Sequence, residues 1–424
     1  MKHAIQIAYG RGHVPIQADP DLADWQVIRP SFEAALPDAH GAFLKAVRNP
    51  IGAKPLRDIV KPGHRVVIAT SDGTRPVPNK QLIPWILDEL PVPEDQVTVL
   101  VGTGTHRPNT DAEIAEMFGK EVVKRVKIVN HNAFDEKVNQ LVGKTASGTS
   151  VFLNRVYLDA DIKIAVGFIE PHFFAGFSGG PKAVAPGVAG IDTIFRLHRA
   201  ELIGDPNSTW GVLDDNPLHR EIREAVALCP PDFMVNVTLN AEKKISGFYV
   251  GDYCQAHQKG CAEVKLSAMV PVKAPFPVVV TSNSGFPLDQ NLYQTVKGLS
   301  AAARIVSDGG TILVASECSD GVPNHGNFAK LMIEGATPDD VIAGVYAHEP
   351  ILDQWQAQVL AGILRRAKVG VYTNMDADQV RDCKLQVVPD LDMALREEIE
   401  GLGQGARVAV LPDGPLTIPY VEGH

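Results

Sequence analysis

The sequence predicts an α/β protein of two domains, each built on a mostly parallel sheet flanked by helices, with the active site in the cleft between them. Three observations carry this expectation. Short β-branched apolar runs recur along the chain, helix-period segments separate them, and the length of 424 residues exceeds the roughly 250 residues at which single hydrophobic cores stop growing.

The runs are RVVIA (65–69), VTVLV (97–101), IKIAV (162–166), VVVT (278–281), TILVA (311–315) and VGVY (369–372). Continuous rather than alternating apolarity marks strands covered on both faces, as in βαβ units. Ligands of such sheets gather beyond the carboxyl ends of the strands, so the informative residues follow each run. Three loops there are unusual: SDGTRPVPN (71–79), GTGTHRPN (102–109) and GFIEPHFFAGFSGGPK (167–182).

The proline-rich stretch PVKAPFP (271–277) reads as a domain junction. The expected domains are 1–270, carrying the loops above, and 275–424, with hinge motion near 269–277. The second domain opens with NSGFPLDQNLYQTVKG (283–298), where Gln290, Gln294 and Lys297 share one helical face and Tyr293 borders it. The stretch up to about residue 62 carries the weakest local signals.

Composition excludes several classes. Forty Lys plus Arg against fifty Asp plus Glu give a formal charge of −10, so overall charge offers no attraction to nucleic acid or an anionic membrane. Five cysteines (Cys229, Cys254, Cys261, Cys318, Cys383) are odd in number and never spaced as CxxC, which argues against a disulfide framework or a zinc cluster. The first residues lack a signal-peptide pattern, and no apolar run reaches the roughly 18 residues a membrane span needs. A soluble cytoplasmic protein is expected.

In the loop 170–187, four glycines (Gly176, Gly179, Gly180, Gly187) permit close backbone approach to a ligand. His172 and Lys182 add a titratable base and an amine, beside Ser178. A phosphate-binding turn with a structural histidine is the bland alternative. GTGTHRP lacks the third glycine of a dinucleotide fingerprint, Arg107 standing in its place. GFSGGPKA resembles a Walker loop only superficially, because Pro181 precedes the lysine and Ala183 replaces the magnesium-binding hydroxyl.

His106 and His172 follow different strands and can approach one ligand from opposite sides, an arrangement suited to inverting a stereocentre. Arg75 offers a fork for a carboxylate and Lys297 a point charge, while Asp72 is either a site residue or the salt-bridge partner of Arg75. His198 has no second histidine or cysteine at metal-ligand spacing. That leaves it a core or capping residue, or the one protein ligand of a cofactor that brings its own donors.

The segments SDGTRPVP, GTGTHRP, EPHFFAGFSGGPK, the downstream His198 and PLDQNLYQTVKG, in this order, resemble the lactate racemase family of nickel-pincer-nucleotide enzymes. The resemblance implies racemisation or epimerisation at C2 of a 2-hydroxy acid by reversible hydride transfer. It implies nickel pyridinium-3,5-bisthiocarboxylic acid mononucleotide bound covalently to Lys182, with nickel completed by His198. Asp72, Gly176, Ser178 and Gly179 are expected in the cofactor-binding set. His106 and His172 are expected as the acid/base pair, and Arg75, Tyr293, Gln294 and Lys297 as substrate contacts.

Relatives of this kind act on lactate, malate, aryl-lactates or aldonates. The lactate-specific ones carry arginine where Pro181 stands here and serine where Ala183 stands. The implied partners are the small substrate and the enzymes that make the cofactor. The alternative is a noncatalytic binder of a nucleotide or organic anion.

Overall fold

The computed structural model describes residues 3–323 and 326–423, and the chain divides into two compact units. The first comprises Phe32–His198 and Pro206–Lys265. Its six-stranded sheet runs in the order Ile245–Gly251, Phe233–Leu239, Ile162–Phe168, Val66–Ser71, Val97–Gly102, Lys127–Asn130. All neighbours are parallel except the edge strand Ile245–Gly251, which turns back antiparallel on Phe233–Leu239.

Val66, Val67, Ile68 and Ala69 are all essentially unexposed, because successive side chains meet opposite cores and both faces are covered. The helix Asn79–Asp88 supplies one cover through Leu82, Ile83, Ile86 and Leu87. Thr110 and Glu113 form a capping box that starts the helix Asp111–Phe118 directly after the second loop.

Strand order fixes where a site lies. From Val66–Ser71 the chain proceeds through Val97–Gly102 to Lys127–Asn130 on one side; Ile162–Phe168 then pairs on the other side of the first strand. The order reverses between Val66–Ser71 and Ile162–Phe168, and this switch point opens a crevice at the strand ends. The three unusual loops leave three adjacent strands there.

The second unit comprises Met1–Ser31, Arg199–Asp205 and Leu266–His424. Its parallel sheet runs Gln386–Val387, Lys368–Tyr372, Val306–Ala315, Phe276–Ser282, Ala406–Leu411, Ala23–Val27.

Three expectations are corrected. An uninterrupted first domain over 1–270 does not form, since the first 31 residues and 199–205 group with the C-terminal unit. Ala23–Val27 hydrogen-bonds to Ala406–Leu411 as an edge strand, and Ile5, Ile7 and Ile16 of the hairpin His3–Tyr9/Gly12–Ala18 pack on Val278, Val280 and Val410. The stretch 271–277 is no linker. Met269–Val272 pairs in parallel with Ile418–Val421, and Phe276 begins the next strand. Finally, the helix begins at Leu292 with Asn291 as its cap, which puts Gln290 outside it, bonded to Asp320.

One carboxylate ties the N-terminal hairpin to its unit. Asp289, fully buried, accepts the amides of Gly10 at 2.6 Å and Glu317 at 3.1 Å through Oδ2. Asp289→Ala leaves two amides without an acceptor and is expected to lower unfolding free energy by about 2 to 5 kcal/mol, read by urea denaturation. An unchanged midpoint would remove this role.

Candidate active site

The first loop opens with Asp72, whose carboxylate is almost fully buried. Its Oδ1 accepts the Thr74 hydroxyl at 2.6 Å and the Thr74 amide at 3.3 Å. Its Oδ2 lies 2.8 Å from Nδ1 of His106 on the neighbouring loop. Burial alone would raise the Asp72 carboxyl; His106, Thr74 and the nearby Arg75 outweigh it and hold the group below its ordinary value. The Asp72–Arg75 salt bridge is not the arrangement found. Arg75 instead lies 3.8 Å from Glu170, a long contact.

The second loop holds His106 with its amide on Thr103 O at 2.9 Å. The His106 side chain remains 55% exposed although its Nδ1 is anchored, as suits a group that must meet a ligand. Arg107, next in sequence, forks onto Glu113 at 2.8 and 2.6 Å. The Gly104 amide reaches Gly187 O at 3.1 Å, which joins the second loop to the third.

The third loop is a tight construction. Pro171–His172 pairs with Gly176–Phe177 as a two-residue ladder. The Ser178 hydroxyl donates to Phe168 O and accepts the Glu170 amide, both at 2.9 Å, so this serine, expected beside the cofactor, closes the loop on its own strand. Gly179 and Gly180 then take φ of +71° and +54°, the left-handed region that disfavours side chains. A Cβ on Gly180 would enter the His257 ring.

The Gly180 amide bonds Asn236 Oδ1 at 2.7 Å, and Ser178 O accepts His257 Nε2–H at 2.9 Å. These contacts set a single-turn 3₁₀ helix, Gly180–Ala183, from which Lys182 projects.

The Phe174 ring gathers the expected residues. Lys182 Nζ lies 5.8 Å from its centroid, the His172 ring packs on it at 4.6 Å and the His198 ring at 5.5 Å, both edge to face. Lys182, His172 and His198 therefore surround one aromatic plate. His198 caps the helix Ile191–Leu197, and its Nδ1 donates to Ile194 O at 2.8 Å. A carbonyl cannot donate, so the proton is on Nδ1 and the imidazole lone pair is on Nε2, the form a metal requires. Among the described residues no cluster of three or more His, Cys, Asp or Glu gathers as a metal site.

Sequence reasoning did not single out Phe174, Asn236, His219 or His257. Asn236 carried a usable signal, a lone amide inside the otherwise apolar strand run FMVNV. His257 carried none. It sits on the helix Gln255–Ala268, reaches Ser178 across a long sequence separation and stacks on His219 at 5.8 Å.

Tyr293, Gln294 and Lys297 lie on the helix Leu292–Ala302 of the C-terminal unit. Lys297 Nζ donates to Gln294 Oε1 at 2.7 Å, so those two share the expected face. The Tyr293 hydroxyl accepts from Trp355 Nε1 at 3.1 Å and its ring packs edge-on against Phe328.

A loop carrying both a histidine and a lysine lies at the switch point of a doubly wound sheet, with a second histidine on a loop hydrogen-bonded to it, and the relatives of the chain place it among the racemases, a class of isomerases. The profile of the "Lactate racemase N-terminal domain" matches residues 9–211 and that of the "Lactate racemase C-terminal domain" matches residues 272–418. The chain belongs to the lactate racemase family.

It is 38% identical over 380 residues to the lactate racemase of Thermoanaerobacterium thermosaccharolyticum, covering 88% of this chain and 89% of that one. It is 36% identical over 375 residues to the lactate racemase of Lactiplantibacillus plantarum, covering 87% and 88%. The solved lactate racemase apoprotein of T. thermosaccharolyticum superposes with a TM-score of 0.91 at 35% identity, covering 98% of this chain and all of the other. A Thermotoga maritima protein of 18% identity, with a TM-score of 0.68 over 92% of this chain and all of its own, shares the fold alone.

Burial pushes His131, His198 and His257 down to about 4 and His219 to about 3, all from the ordinary 6.5. These groups stay neutral in the folded chain while their unfolded counterparts take up protons below about 6.5, so the unfolded state binds more protons and stability falls as pH falls. Denaturant midpoints are expected to drop steadily from pH 7 to pH 5. A flat profile across that window would contradict the buried neutral histidines.

Proposed function

We propose that this chain inverts C2 of a 2-hydroxy acid, with His106 and His172 exchanging the hydroxyl proton and a nickel-pincer nucleotide tethered to Lys182. The observation that carries the reading is the Phe174 ring, which brings Lys182 Nζ, His172 and His198 together within 5.8 Å of its centroid.

The residues fit such a group. A cofactor that supplies three donors needs one imidazole from the protein, and His198 is a solitary histidine whose bond to Ile194 O fixes the lone pair on Nε2. Lys182 supplies the amine for a covalent tether, on a backbone whose left-handed glycines keep side chains away from the loop. Gly176, Ser178 and Gly179 frame that loop, Ser178 by closing it on Phe168, while Asp72 holds His106 on a neighbouring loop. The chemistry the group supplies when bound is reversible uptake of the C2 hydrogen with its electron pair.

The chain's own residues do the rest. Arg75 and Lys297 provide two cations for the substrate carboxylate and the developing oxyanion, with Gln294 and Tyr293 as further substrate contacts. Loss of the hydroxyl proton to one histidine, together with departure of the C2 hydrogen and its electron pair to the bound group, would leave a planar 2-keto acid; return of that hydrogen to the other face, with a proton from a histidine to the oxygen, would give the opposite configuration. The unit Phe32–His198 with Pro206–Lys265 is proposed as the cofactor-anchoring part, loaded by cofactor-making enzymes. The five cysteines are all free thiols, which supports a reducing, cytoplasmic setting; among the described residues no helix is long and apolar enough to cross a membrane.

Chiral chromatography of single enantiomers of lactate, malate, an aryl-lactate and an aldonate, incubated with chain produced alongside the cofactor-making enzymes, tests the proposal. Interconversion of at least one pair is expected, reduced by about two to four orders of magnitude in His106→Ala and His172→Ala. Ligand binding without interconversion would leave an anion-binding protein instead, and turnover indifferent to both histidines would remove their acid/base role.

A further inference from the structure

We propose that the two acid/base histidines are locked in opposite tautomers: His106 as the Nδ1–H form by Asp72, and His172 as the Nε2–H form by the amides of Phe174 and Ala175. The resting pair then holds one proton acceptor and one proton donor. The consequence for catalysis rests on the racemase reading above; the tautomers themselves do not.

At His106 the partner is a carboxylate. Asp72 is held in its ionised form by its neighbours, so it has no proton to give, and the hydrogen in the 2.8 Å contact belongs to His106 Nδ1. Thr74 fixes the other carboxylate oxygen with its hydroxyl and amide, which stops the group rotating away. The lone pair of neutral His106 is therefore on Nε2. When a substrate O–H bond breaks and an Nε2–H bond forms, the positive charge of the imidazolium faces an anion.

At His172 the partners are donors. The Ala175 amide reaches Nδ1 at 3.2 Å and the Phe174 amide at 3.4 Å. A backbone amide N–H cannot accept, so Nδ1 carries the lone pair and the ring proton of neutral His172 is on Nε2. Taking a second proton requires Nδ1–H to stand against two amide hydrogens. His172 is thus arranged to offer a hydrogen to the substrate oxygen, and must give up both amide contacts before its Nε2 can accept one.

Asp72 is by this account a positioning residue for His106 rather than a cofactor contact, since both its oxygens are already engaged. For an enantiomeric substrate kcat/KM is equal in the two directions, so the inequality of the histidines divides between kcat and KM.

The test is a long-range ¹H–¹⁵N correlation spectrum of the full-length chain labelled with ¹⁵N-histidine, in mildly alkaline buffer without added cofactor. His106→Gln and His172→Gln assign the signals by their loss. The expected result is Nδ1–H with bare Nε2 for His106 and the reverse for His172. In Asp72→Asn the amide oxygen is drawn to the Thr74 donors, the amide NH₂ faces His106, and its pattern should switch to Nε2–H while that of His172 stays.

Two histidines in the same tautomer, or a His106 pattern indifferent to Asp72→Asn, would overturn the inference. Opposite tautomers in a chain that fails to interconvert enantiomers when loaded would support it and sink the racemase reading; a shared tautomer in an active racemase would do the converse.

Discussion

The candidate site depends on the left-handed backbone of Gly179 and Gly180. Positive φ at both residues turns the chain sharply out of the loop that Ser178 has closed on Phe168 and Glu170. The Gly180 amide, which the turn would otherwise bury without a partner, is taken by Asn236. His257 grips the preceding carbonyl and fills the space a Cβ would need. Only with these contacts in place does Lys182 leave the backbone toward Phe174. Sheet order does the rest, because the loop bearing Asp72 leaves the strand beside the one that feeds this turn and the loop bearing His106 leaves the next strand along.

Around the turn the chain keeps its imidazoles neutral. His131 braces the far end of the loop through Ala189 O at 2.8 Å and Asn154 at 2.9 Å, His257 braces the near end, and His198 caps its helix edge-on to Phe174. Burial is the main cause in each case, with the Lys182 charge adding to it at His198 and His257. Neutral imidazoles avoid buried charge, and His131 spends both ring nitrogens on the fold, one on Ala189 O and one on Asn154. His106 stands apart from this group, more exposed and set against a buried carboxylate.

Much of this was legible in the sequence. The six apolar runs all became strands of the two large sheets, within a few residues at their ends, because burial on both faces leaves an unmistakable β-branched signature. Loop residues Asp72, His106, His172 and Lys182 followed from the rule that parallel sheets bind at their carboxyl ends. The N-terminal strands were not legible. Ala23–Val27 is an exposed edge with the burial of an ordinary loop, and its partner Ala406–Leu411 lies near the other end of the chain. The proline-rich stretch read as a linker runs from the end of one paired strand, Met269–Val272, to the start of the next at Phe276, prolines being tolerated in a short two-stranded ladder. Contacts made across long separations, such as His257 to Ser178, leave no local pattern.

The proposed racemase function turns on Lys182 and His198 receiving one organometallic group. Chain produced alongside the cofactor-making enzymes, examined by peptide mass mapping together with nickel X-ray absorption, tests this most directly. A mass adduct confined to Lys182 and one imidazole nitrogen in the nickel shell, absent from His198→Ala, is the expected result. Full-length chain from that host with unmodified Lys182 and no nickel would contradict it.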